Sequence, residues 1–385
     1  MVRFASLLLY LASVTSSVAQ ERLALPVPTG PHAVGRTMFH WIDRSRPEVL
    51  SERSDEMREV AIWVWYPALP RQGAEPAPYV ADLDVLATVL AGEEASLLSS
   101  VQTHSSDGAR LAPEPARIPV LLFSPGNATF PELYTSYAED LASHGYVVAV
   151  LDHPYDSAAT RLYDGTIVEL ATEPTEGDEL LAFRQERVNE RSRDVSFVIQ
   201  QLALLDQGVI DSPFEARLDF DRIGALGHSI GGMTAAQSCI DDARIRACAN
   251  MDGVTNALPA YPDPEGRGPS QPFLFIAKPF PRMQGESDDD SQRRLAFLHS
   301  QGNTLLDDVR FGRSYRVTIS GATHATFSDE EFLLAGGAER PRELLDLARA
   351  YLLGFFRESL EGQPSSLLSS PPIDGAIRVE TFTPQ

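Results

Sequence analysis

The chain has 385 residues, of which 43% are hydrophobic, and a formal net charge of −22. The apolar fraction argues against disorder for most of the chain, and the length suffices for one large domain or two ordinary ones. The acidic charge argues against nucleic acid as a partner, because a polyanion would be repelled, and no basic stripe for an anionic membrane is visible.

The first 19 residues have the pattern of a secretory signal peptide. A basic Arg3 precedes an apolar run that is too short to span a bilayer, and Ser17 and Ala19 form a small-residue cleavage site. We therefore expect residues 1–19 to be removed and the mature chain to be secreted or periplasmic, without a membrane span. The alternative is a buried helix, but nothing amphipathic organises the segment.

Residues 20–361 are predicted to form a single domain. Two β-rich runs come first, at residues 34–43 and 58–66, and the polar connection between them predicts an antiparallel pair at the edge of a sheet. A connection rich in Pro, Ala and Gly follows. It contains one predicted short helix, at about residues 82–90.

From residue 118 onward, buried strands alternate with helices. This alternation predicts a mostly parallel central sheet with helices on both faces, extended at its N-terminal side by the antiparallel pair. The predicted strands are 118–123, 146–151, 222–226, 245–250, 272–277 and 314–319, and the main predicted helices are 131–144, 180–205 and 340–360.

Two insertions follow the carboxyl ends of predicted strands. Asp164 and Gly165 predict a hairpin within residues 160–168, and residues 259–271 are dense in Pro and Gly. Loops at this edge overhang the ligand crevice of an α/β sheet, so both are candidates for a pocket rim, although surface decoration explains them equally well. Residues 362–385, rich in Ser and Pro, are expected to form an extended surface tail.

Cys239 and Cys248 are the only two cysteines. They are too few and too close together for a zinc site without nearby histidines, so no structural metal is expected. In an exported protein they could form a disulfide between the helix after strand 222–226 and the next strand. Two buried free thiols are an equal alternative.

The strongest chemical signal is Gly-His-Ser-Ile-Gly-Gly at residues 227–232. An apolar strand runs into Gly-x-Ser-x-Gly and continues into a helix-forming run, which predicts the nucleophile elbow of an α/β-hydrolase fold. The strained turn exposes the hydroxyl of Ser229, and the flanking glycines leave room for a neighbouring strand and helix. A plain strand-to-helix turn is the alternative, but the partners described next favour a catalytic serine.

A serine nucleophile needs a base, and the base needs an acid to orient it. In this fold the chain order is serine, acid, histidine. Two histidines follow Ser229. His299 lies in a helical run, whereas His324 lies in a loop just after a predicted strand, so His324 is the predicted base rather than a solvent-facing loop residue.

The acid is sought at the carboxyl ends of the last strands. No carboxylate follows strand 272–277 directly, whereas strand 245–250 leads to Asp252, which is therefore the predicted acid. An Asp before Gly is also a common turn residue. Three other aspartates remain as weaker rivals: Asp241, Asp242 and Asp263.

Two backbone amides are expected to form an oxyanion hole. One follows the nucleophile, at Ile230, and the other comes from the loop after strand 118–123. Pro125 lacks an N–H and Gly126 serves the turn, so Asn127 is the predicted second donor, with Ala128 as the alternative.

These motifs resemble the plasma and type II platelet-activating factor acetylhydrolases over roughly residues 25–357. The resemblance rests on Gly-Pro-His-Ala-Val-Gly at 30–35, Phe-Ser-Pro-Gly-Asn at 123–127, Asp-Leu-Ala-Ser-His-Gly-Tyr at 140–146, Asp152-His153 with Ser157-Ala158, the elbow, Asp252 and Gly-Ala-Thr-His at 321–324. It implies a calcium-independent serine esterase that removes short acyl groups from phospholipids or similar esters, with Asp252 and His324 as acid and base. The family commonly has His-Gly where this chain has Pro125-Gly126, and Phe where it has Ile230.

We therefore expect an exported serine carboxylic ester hydrolase that acts through an acyl-enzyme on a small-molecule or lipid ester. A general carboxylesterase or polyester hydrolase is the alternative within this chemistry. Two alternatives lie outside ester hydrolysis. One is a non-catalytic binding module on a hydrolase fold, and the other is a peptidase, for which the sequence shows no site that would recognise a peptide terminus. His153, His228 and Phe280 are candidate substrate-pocket residues, and no cofactor or metal is expected.

Overall fold

The computed structural model describes residues 23–71, 73, 75–175, 177–253, 269–279, 287, 289–290, 293, 313–370 and 375–382. The expected signal segment and most of insertion 259–271 lie outside these ranges. Within the ranges, no helix has both the length and the apolar character that crossing a bilayer requires.

The strands of the described residues are, in chain order, β1 Ala33–Pro47, β2 Met57–Ala68, β3 Ser105–Asp107, β4 Ile118–Ser124, β5 Val147–Asp152, β6 Ala159–Arg161, β7 Ile167–Glu169, β8 Leu218–His228, β9 Ile245–Met251, β10 Phe273–Ala277, β11 Ser314–Ile319 and β12 Ile377–Phe382. The helices are α1 Leu83–Val89, α2 Glu93–Ser100, α3 Thr135–Ser143, α4 Gly177–Asp206, α5 Ile230–Asp241, α6 Glu330–Leu334, α7 Glu339–Glu361 and α8 Ser366–Ser369.

A ten-stranded sheet organises these elements in the order β12-β11-β10-β9-β8-β4-β5-β2-β1-β3. Neighbouring strands from β11 to β5 in this order run parallel. β2 pairs antiparallel with both β5 and β1. The mostly parallel sheet and its antiparallel N-terminal extension are therefore confirmed.

The central strands are buried on both faces, which explains why their sequences are continuous apolar runs. In β4, Leu121 and Phe123 belong to one hydrophobic core, whereas Val120 and Leu122 belong to the other. Side chains of α3 and α7 fill the first core, and those of α4 and α5 fill the second. The sheet thus holds the ends of its strands in a fixed order.

Local sequence signals set several helix ends. The side chain of Asp82 caps α1 by accepting hydrogen bonds from the amides of Asp84 and Val85. The predicted helix 131–144 instead begins as a 3₁₀ turn, Pro131–Tyr134, and is α-helical only from α3 onward. Tight turns of this kind are common at the N-termini of helices, where proline is also favoured.

Part of the expected surface tail joins the sheet. β12 pairs antiparallel with β11 as an edge strand, and α8 precedes it. Leu368 and Ile377 are buried, 1% and 7% exposed. Burial of these apolar side chains stabilises the packing of the Ser- and Pro-rich segment against the domain. The sheet therefore extends beyond residue 361.

Cys239 and Cys248 form a disulfide, with their Cα atoms 6.4 Å apart. Of the two alternatives, a disulfide and two buried free thiols, the structure therefore shows the disulfide. It ties the end of α5 to β9, the helix and strand that flank the elbow and the loop of Asp252.

Asp329 is a fully buried carboxyl group just before α6. Its oxygens accept hydrogen bonds from the hydroxyls of Ser136 and Tyr79. Burial raises the pKa of Asp329 from its ordinary value of 3.8 to about 7. The folded protein therefore holds a proton here that the unfolded chain would release at lower pH.

We expect Asp329→Asn to remove a pH-dependent loss of stability. The contribution of Asp329 is fully present below about pH 4 and is lost as the pH rises to about 7, at up to about 1.4 kcal/mol per pH unit. Denaturant unfolding across this range should show a steeper fall in the free energy of unfolding for wild type than for the variant. The exposed Asp221→Asn should follow wild type. Parallel curves for wild type and Asp329→Asn would contradict the assignment.

Candidate active site

Ser229 occupies the strained turn that the sequence predicts. It joins β8 to α5 with φ 56° and ψ −124°, a conformation that is costly for a residue with a Cβ. Its amide donates to the carbonyl oxygen of Met251 at 2.9 Å, which ties the turn to the end of β9. Its side chain is partly exposed.

Gly227 and Gly231 are required by the packing of this turn. A Cβ at position 231 would lie 1.9 Å from the carbonyl oxygen of Ser124, and a Cβ at position 227 would lie 2.1 Å from the carbonyl oxygen of Gly231. The obstacles are backbone atoms, which cannot move aside as a flexible side chain could. Strand β4, the turn and α5 therefore meet backbone to backbone.

His324 lies in a closed turn after β11. Gly321 turns the chain with φ 84°, and Thr323 then caps the 3₁₀ turn His324–Phe327. The amide of Thr323 donates to Thr326 Oγ1 at 2.8 Å, and its hydroxyl donates to Glu331 Oε2 at 3.0 Å. These contacts fix the backbone of His324 while its side chain stays 44% exposed.

Asp252 and His324 are joined by a 2.6 Å hydrogen bond between Oδ2 and Nδ1. Asp252 is 2% exposed, has φ 52°, and donates its amide to the carbonyl oxygen of Ile276 at 2.8 Å. A carboxylate can only accept, so Nδ1 of His324 carries the hydrogen. The neutral imidazole then presents Nε2 as its basic atom.

The structure brings Ser229, Asp252 and His324 together at the carboxyl edge of the sheet. The ring of His228, the residue before Ser229, lies 4.4 Å from that of His324 between centroids. A Cβ on Gly253, the residue after Asp252, would lie 2.5 Å from the carbonyl oxygen of Ser229. Three separate loops therefore converge at one place.

The rival aspartates do not share this place. Asp241 and Asp242 lie at the far end of α5, where they accept hydrogen bonds from hydroxyl groups of α4. Since α5 has 12 residues, its two ends are about 16 Å apart. Asp263 and His299 lie outside the described residues.

The loop after β4 has one free amide in the expected position. The N–H of Gly126 donates to Tyr134 Oη at 2.8 Å, and that of Ala128 donates to the carbonyl oxygen of Asp156 at 2.8 Å. Within the described ranges, no hydrogen bond occupies the N–H of Asn127 or of Ile230. The two predicted oxyanion donors are therefore available, and the alternative, Ala128, is not.

Buried arginines of α4 hold this loop from below. Arg191 Nη1 donates to the carbonyl oxygen of Pro125 at 2.9 Å, and Arg187 makes two hydrogen bonds with the carboxylate of Asp156. Burial alone would raise the pKa of Asp156, but Arg191 and Arg187 outweigh it and hold that pKa below its ordinary value. The ion pairs thus fix the backbone on which the free amide of Asn127 depends.

His153 is not a substrate-pocket residue, which corrects our expectation. It is 1% exposed, and its ring nitrogens lie 2.8 Å from Asp194 Oδ2 and 3.3 Å from Ser124 Oγ. Burial lowers the pKa of His153 to about 4. The neutral imidazole is part of the polar network beneath the β4 loop, with no surface for a ligand.

His228 supports the site from beneath and lines no open wall. It is 4% exposed, and its Nδ1 lies 3.0 Å from Tyr134 Oη. Burial, together with the nearby His324 and Lys278, holds the pKa of His228 well below its ordinary value. Phe280, the third expected pocket residue, lies outside the described residues.

Two neighbours of the site escaped the sequence reasoning. The ammonium of Lys278, just after β10, contacts Asp252 Oδ2. Tyr134 links Gly126 to His228 through its hydroxyl. Lys278 was detectable, since it is the only lysine of the chain and follows the carboxyl end of a predicted strand. Tyr134 carried no such signal.

A separate cavity of about 390 Å³ lies beside the end of β5, between the β1–β2 pair, α1 and the β6–β7 hairpin. The predicted hairpin is present, and Arg161, Leu162 and Gly165 from it line this cavity. None of Ser229, Asp252 and His324 does. Among the described residues, no group of histidine, cysteine and carboxylate side chains could hold a metal ion.

Comparison with known proteins identifies the family of this chain. The family model for platelet-activating factor acetylhydrolase, isoform II, matches residues 18–338. The chain belongs to this family. A "probable 1-alkyl-2-acetylglycerophosphocholine esterase" of Arthroderma benhamiae is 27% identical over 93% of this chain and 94% of the relative. A platelet-activating factor acetylhydrolase of Canis lupus familiaris is 28% identical, over 56% of this chain and 49% of the relative.

A solved structure agrees with this membership. The ferulic acid esterase from Streptomyces cinnamoneus superposes with a TM-score of 0.73 and 26% identity, covering 93% of this chain and 99% of that one. The predicted α/β-hydrolase fold is therefore confirmed. With an esterase as structural neighbour and acetylhydrolases as relatives, the chain is a carboxylic ester hydrolase.

We expect Gly231→Ala to destabilise the fold, because the added Cβ meets backbone oxygen with no room to relax. The loss should exceed about 3 kcal/mol, the upper part of the range for overpacking. Gly336→Ala is the control: its φ is positive, at 60°, which Gly231 does not share, but nothing lies within 4 Å of the added atom. It should cost about 1 to 2 kcal/mol. Equal melting temperatures for the two variants would contradict the proposed packing.

Proposed function

We propose that this chain is an exported serine esterase that cleaves short-acyl esters through an acyl-enzyme, with Ser229 as nucleophile, His324 as base and Asp252 as acid. The observation that carries the proposal is the 2.6 Å hydrogen bond from His324 Nδ1 to Asp252 Oδ2 beside the strained Ser229 turn. It orients the imidazole so that Nε2 is its basic atom, on the same edge of the sheet as the partly exposed Ser229.

In the first step, Ser229 Oγ attacks the ester carbonyl carbon while its proton moves to His324 Nε2. The imidazolium that forms is stabilised by the carboxylate of Asp252. Collapse of the tetrahedral intermediate breaks the bond to the alcohol oxygen, and that oxygen takes the proton from Nε2. An alcohol leaves, and the acyl group remains on Ser229.

In the second step, a water molecule attacks the acyl carbon and gives its proton to His324 Nε2. The intermediate then collapses, the proton returns to Ser229 Oγ, and a carboxylic acid leaves. In both steps negative charge develops on the former carbonyl oxygen, where the N–H groups of Asn127 and Ile230 can donate to it. No cofactor is needed, because the chain supplies nucleophile, base and oxyanion donors.

Short-acyl phospholipid esters are the first substrate class. The acetylglycerophosphocholine esterase named among the relatives and the matching family model support it. The ferulic acid esterase neighbour favours small soluble or polymeric esters as the second class. Export is part of the proposal and rests on the signal-peptide pattern of residues 1–19.

We expect Ser229→Ala to lower kcat by about 10⁴ to 10⁶ on every ester that wild type hydrolyses, because the residual rate comes only from the oxyanion hole and binding. The assay is a panel of p-nitrophenyl esters of increasing chain length, an sn-2 acetyl phospholipid and methyl ferulate. If wild type hydrolyses the acetyl phospholipid with the highest kcat/KM, the result supports the first substrate class. If it hydrolyses methyl ferulate with the highest kcat/KM, the result supports the second.

The fold should be unchanged in Ser229→Ala, since both residues carry a Cβ at the same positive φ. A melting temperature equal to wild type is therefore the control. Activity within about tenfold of wild type would remove Ser229 from the mechanism.

We expect Asn127→Pro to lower kcat by about 10² to 10³, because it deletes one main-chain donor. Asn127→Ala keeps that N–H and should retain most activity, losing only the side-chain contact of 3.2 Å from Nδ2 to Glu173. Asn127 has no positive φ, so the ring of proline is not excluded on that ground.

The contrast between the two variants is the test. Equal losses of kcat at unchanged melting temperature would mean that the side chain of Asn127, and not its N–H, contributes to the reaction. Equal retention would place the second donor elsewhere.

A further inference from the structure

The carboxylate of Asp252 has two cationic or hydrogen-donating partners on the same oxygen. His324 Nδ1 and Lys278 Nζ both contact Oδ2. Asp252 is 2% exposed, while Lys278 is 26% exposed. The ammonium therefore lies at the mouth of a buried carboxylate that the imidazole also uses.

The residue type at position 278 is exceptional in this chain. Lys278 is the only lysine among 32 Lys and Arg residues, and buried or half-buried carboxylates elsewhere pair with arginine, as in Arg58 with Asp194 and Arg187 with Asp156. A guanidinium fork tends to take both oxygens of a carboxylate, whereas an ammonium is a compact point charge. A cation can share one carboxylate oxygen with an imidazole, as Arg58 and His153 share Oδ2 of Asp194.

The backbone places this ammonium. β10 pairs with β9 so that Ile276 aligns with Met251, which brings the residues after each strand side by side. Pro279 disfavours a helical conformation at Lys278, which directly follows the last residue of β10, Ala277. Lys278 thus reaches Asp252 because two neighbouring strands end in register.

We propose that Lys278 is a positioning residue for esterase catalysis: its ammonium orients the Asp252 carboxylate and offsets part of its charge, which keeps His324 unprotonated at lower pH. The inference rests on the proposed roles of Ser229, Asp252 and His324. Nothing in it requires Lys278 to touch the substrate.

The sign of the effect follows from the charges. A cation beside Asp252 opposes protonation of His324, so activity, which needs the neutral imidazole, extends to lower pH. Among the described residues, the titratable groups that also face this pair are His228, at the end of β8, and Glu330, of α6, and the neighbouring Glu331 accepts a hydrogen bond from Thr323. Burial holds the pKa of His228 well below its ordinary value, so that imidazole is neutral, whereas burial raises the pKa of Glu330. In the part of the chain that the structure describes, Lys278 is therefore a cation at this pair whose removal can be tested by itself.

The primary test is the pH profile of kcat/KM for Lys278→Met, an unbranched neutral replacement. The midpoint of the acid limb should move up by about half to one pH unit, and kcat on the plateau should fall by about tenfold to a hundredfold, with KM little changed. Lys278→Arg keeps the charge and should return the midpoint to the wild-type value. An unchanged or lowered midpoint in Lys278→Met overturns the proposal.

Two controls separate this inference from the proposed function. Arg244→Met removes a cation from an ion pair with Asp242 at the far end of α5 and should leave the profile unchanged, which rules out a net-charge effect. Asp252→Asn should lose activity whatever Lys278 does. If Asp252→Asn and Ser229→Ala are inactive but Lys278→Met matches wild type, only the role of Lys278 fails. If Ser229→Ala is active, the proposed function itself fails.

A second measurement needs no Lys278 variant. Protein labelled biosynthetically with lysine carrying ¹³C at its ε carbon has a single labelled site, because the chain has a single lysine. Its resonance should shift as the pH crosses the midpoint of the acid limb, and this step should shrink in Asp252→Asn. A resonance that does not move across the acid limb contradicts the proposal.

Discussion

The contact of backbone with backbone at the elbow is the constraint on which the rest of the site depends. The carbonyl oxygen of Ser124 lies where any side chain at position 231 would be. This approach forces Ser229 into its positive φ and brings the N–H of Ile230 to the same edge as the free N–H of Asn127. Nucleophile and oxyanion donors are therefore consequences of one packing arrangement, and a side chain at Gly231 would disturb them together.

The loop after β4 must keep its shape for this arrangement to persist, and buried charge maintains it. Arg191 binds the carbonyl oxygen of Pro125, and Asp194, which binds both Arg58 and His153, is fully buried below. Buried ion pairs add little net stability, but loss of one partner is costly. The network therefore acts mainly as a specificity device: alternative loop shapes would leave a buried charge unpaired.

Sequence reasoning succeeded where backbone geometry dictates residue type. Apolar runs predict the sheet, and Gly-x-Ser-x-Gly predicts the turn, because few sequences satisfy those constraints. The prediction that His153 lines a substrate pocket is wrong, because the sequence around a histidine after a strand does not distinguish one that faces a ligand from one that faces a buried carboxylate. The pattern of a catalytic triad specifies a serine, an acid and a histidine and has no position for a lysine, so it does not predict Lys278. The pairing of β12 with the sheet depends on burial of Ile377. The Ser- and Pro-rich composition of this segment does not indicate that one of its apolar side chains is buried.

Cations accompany the buried carboxylates of this chain, and Asp252 is no exception. A chain with a net charge of −22 must hold many carboxylates close together, and its arginines pair with them through both oxygens, as Arg187 does with Asp156, or through one, as Arg349 does with Asp140. At Asp252 one oxygen contacts both a cation and Nδ1 of His324, an arrangement that Asp194 also makes with Arg58 and His153. An ammonium adds positive charge without covering the carboxylate. Asp252 thus combines a nearby positive charge, supplied by Lys278, with an intact hydrogen bond to Nδ1 of His324.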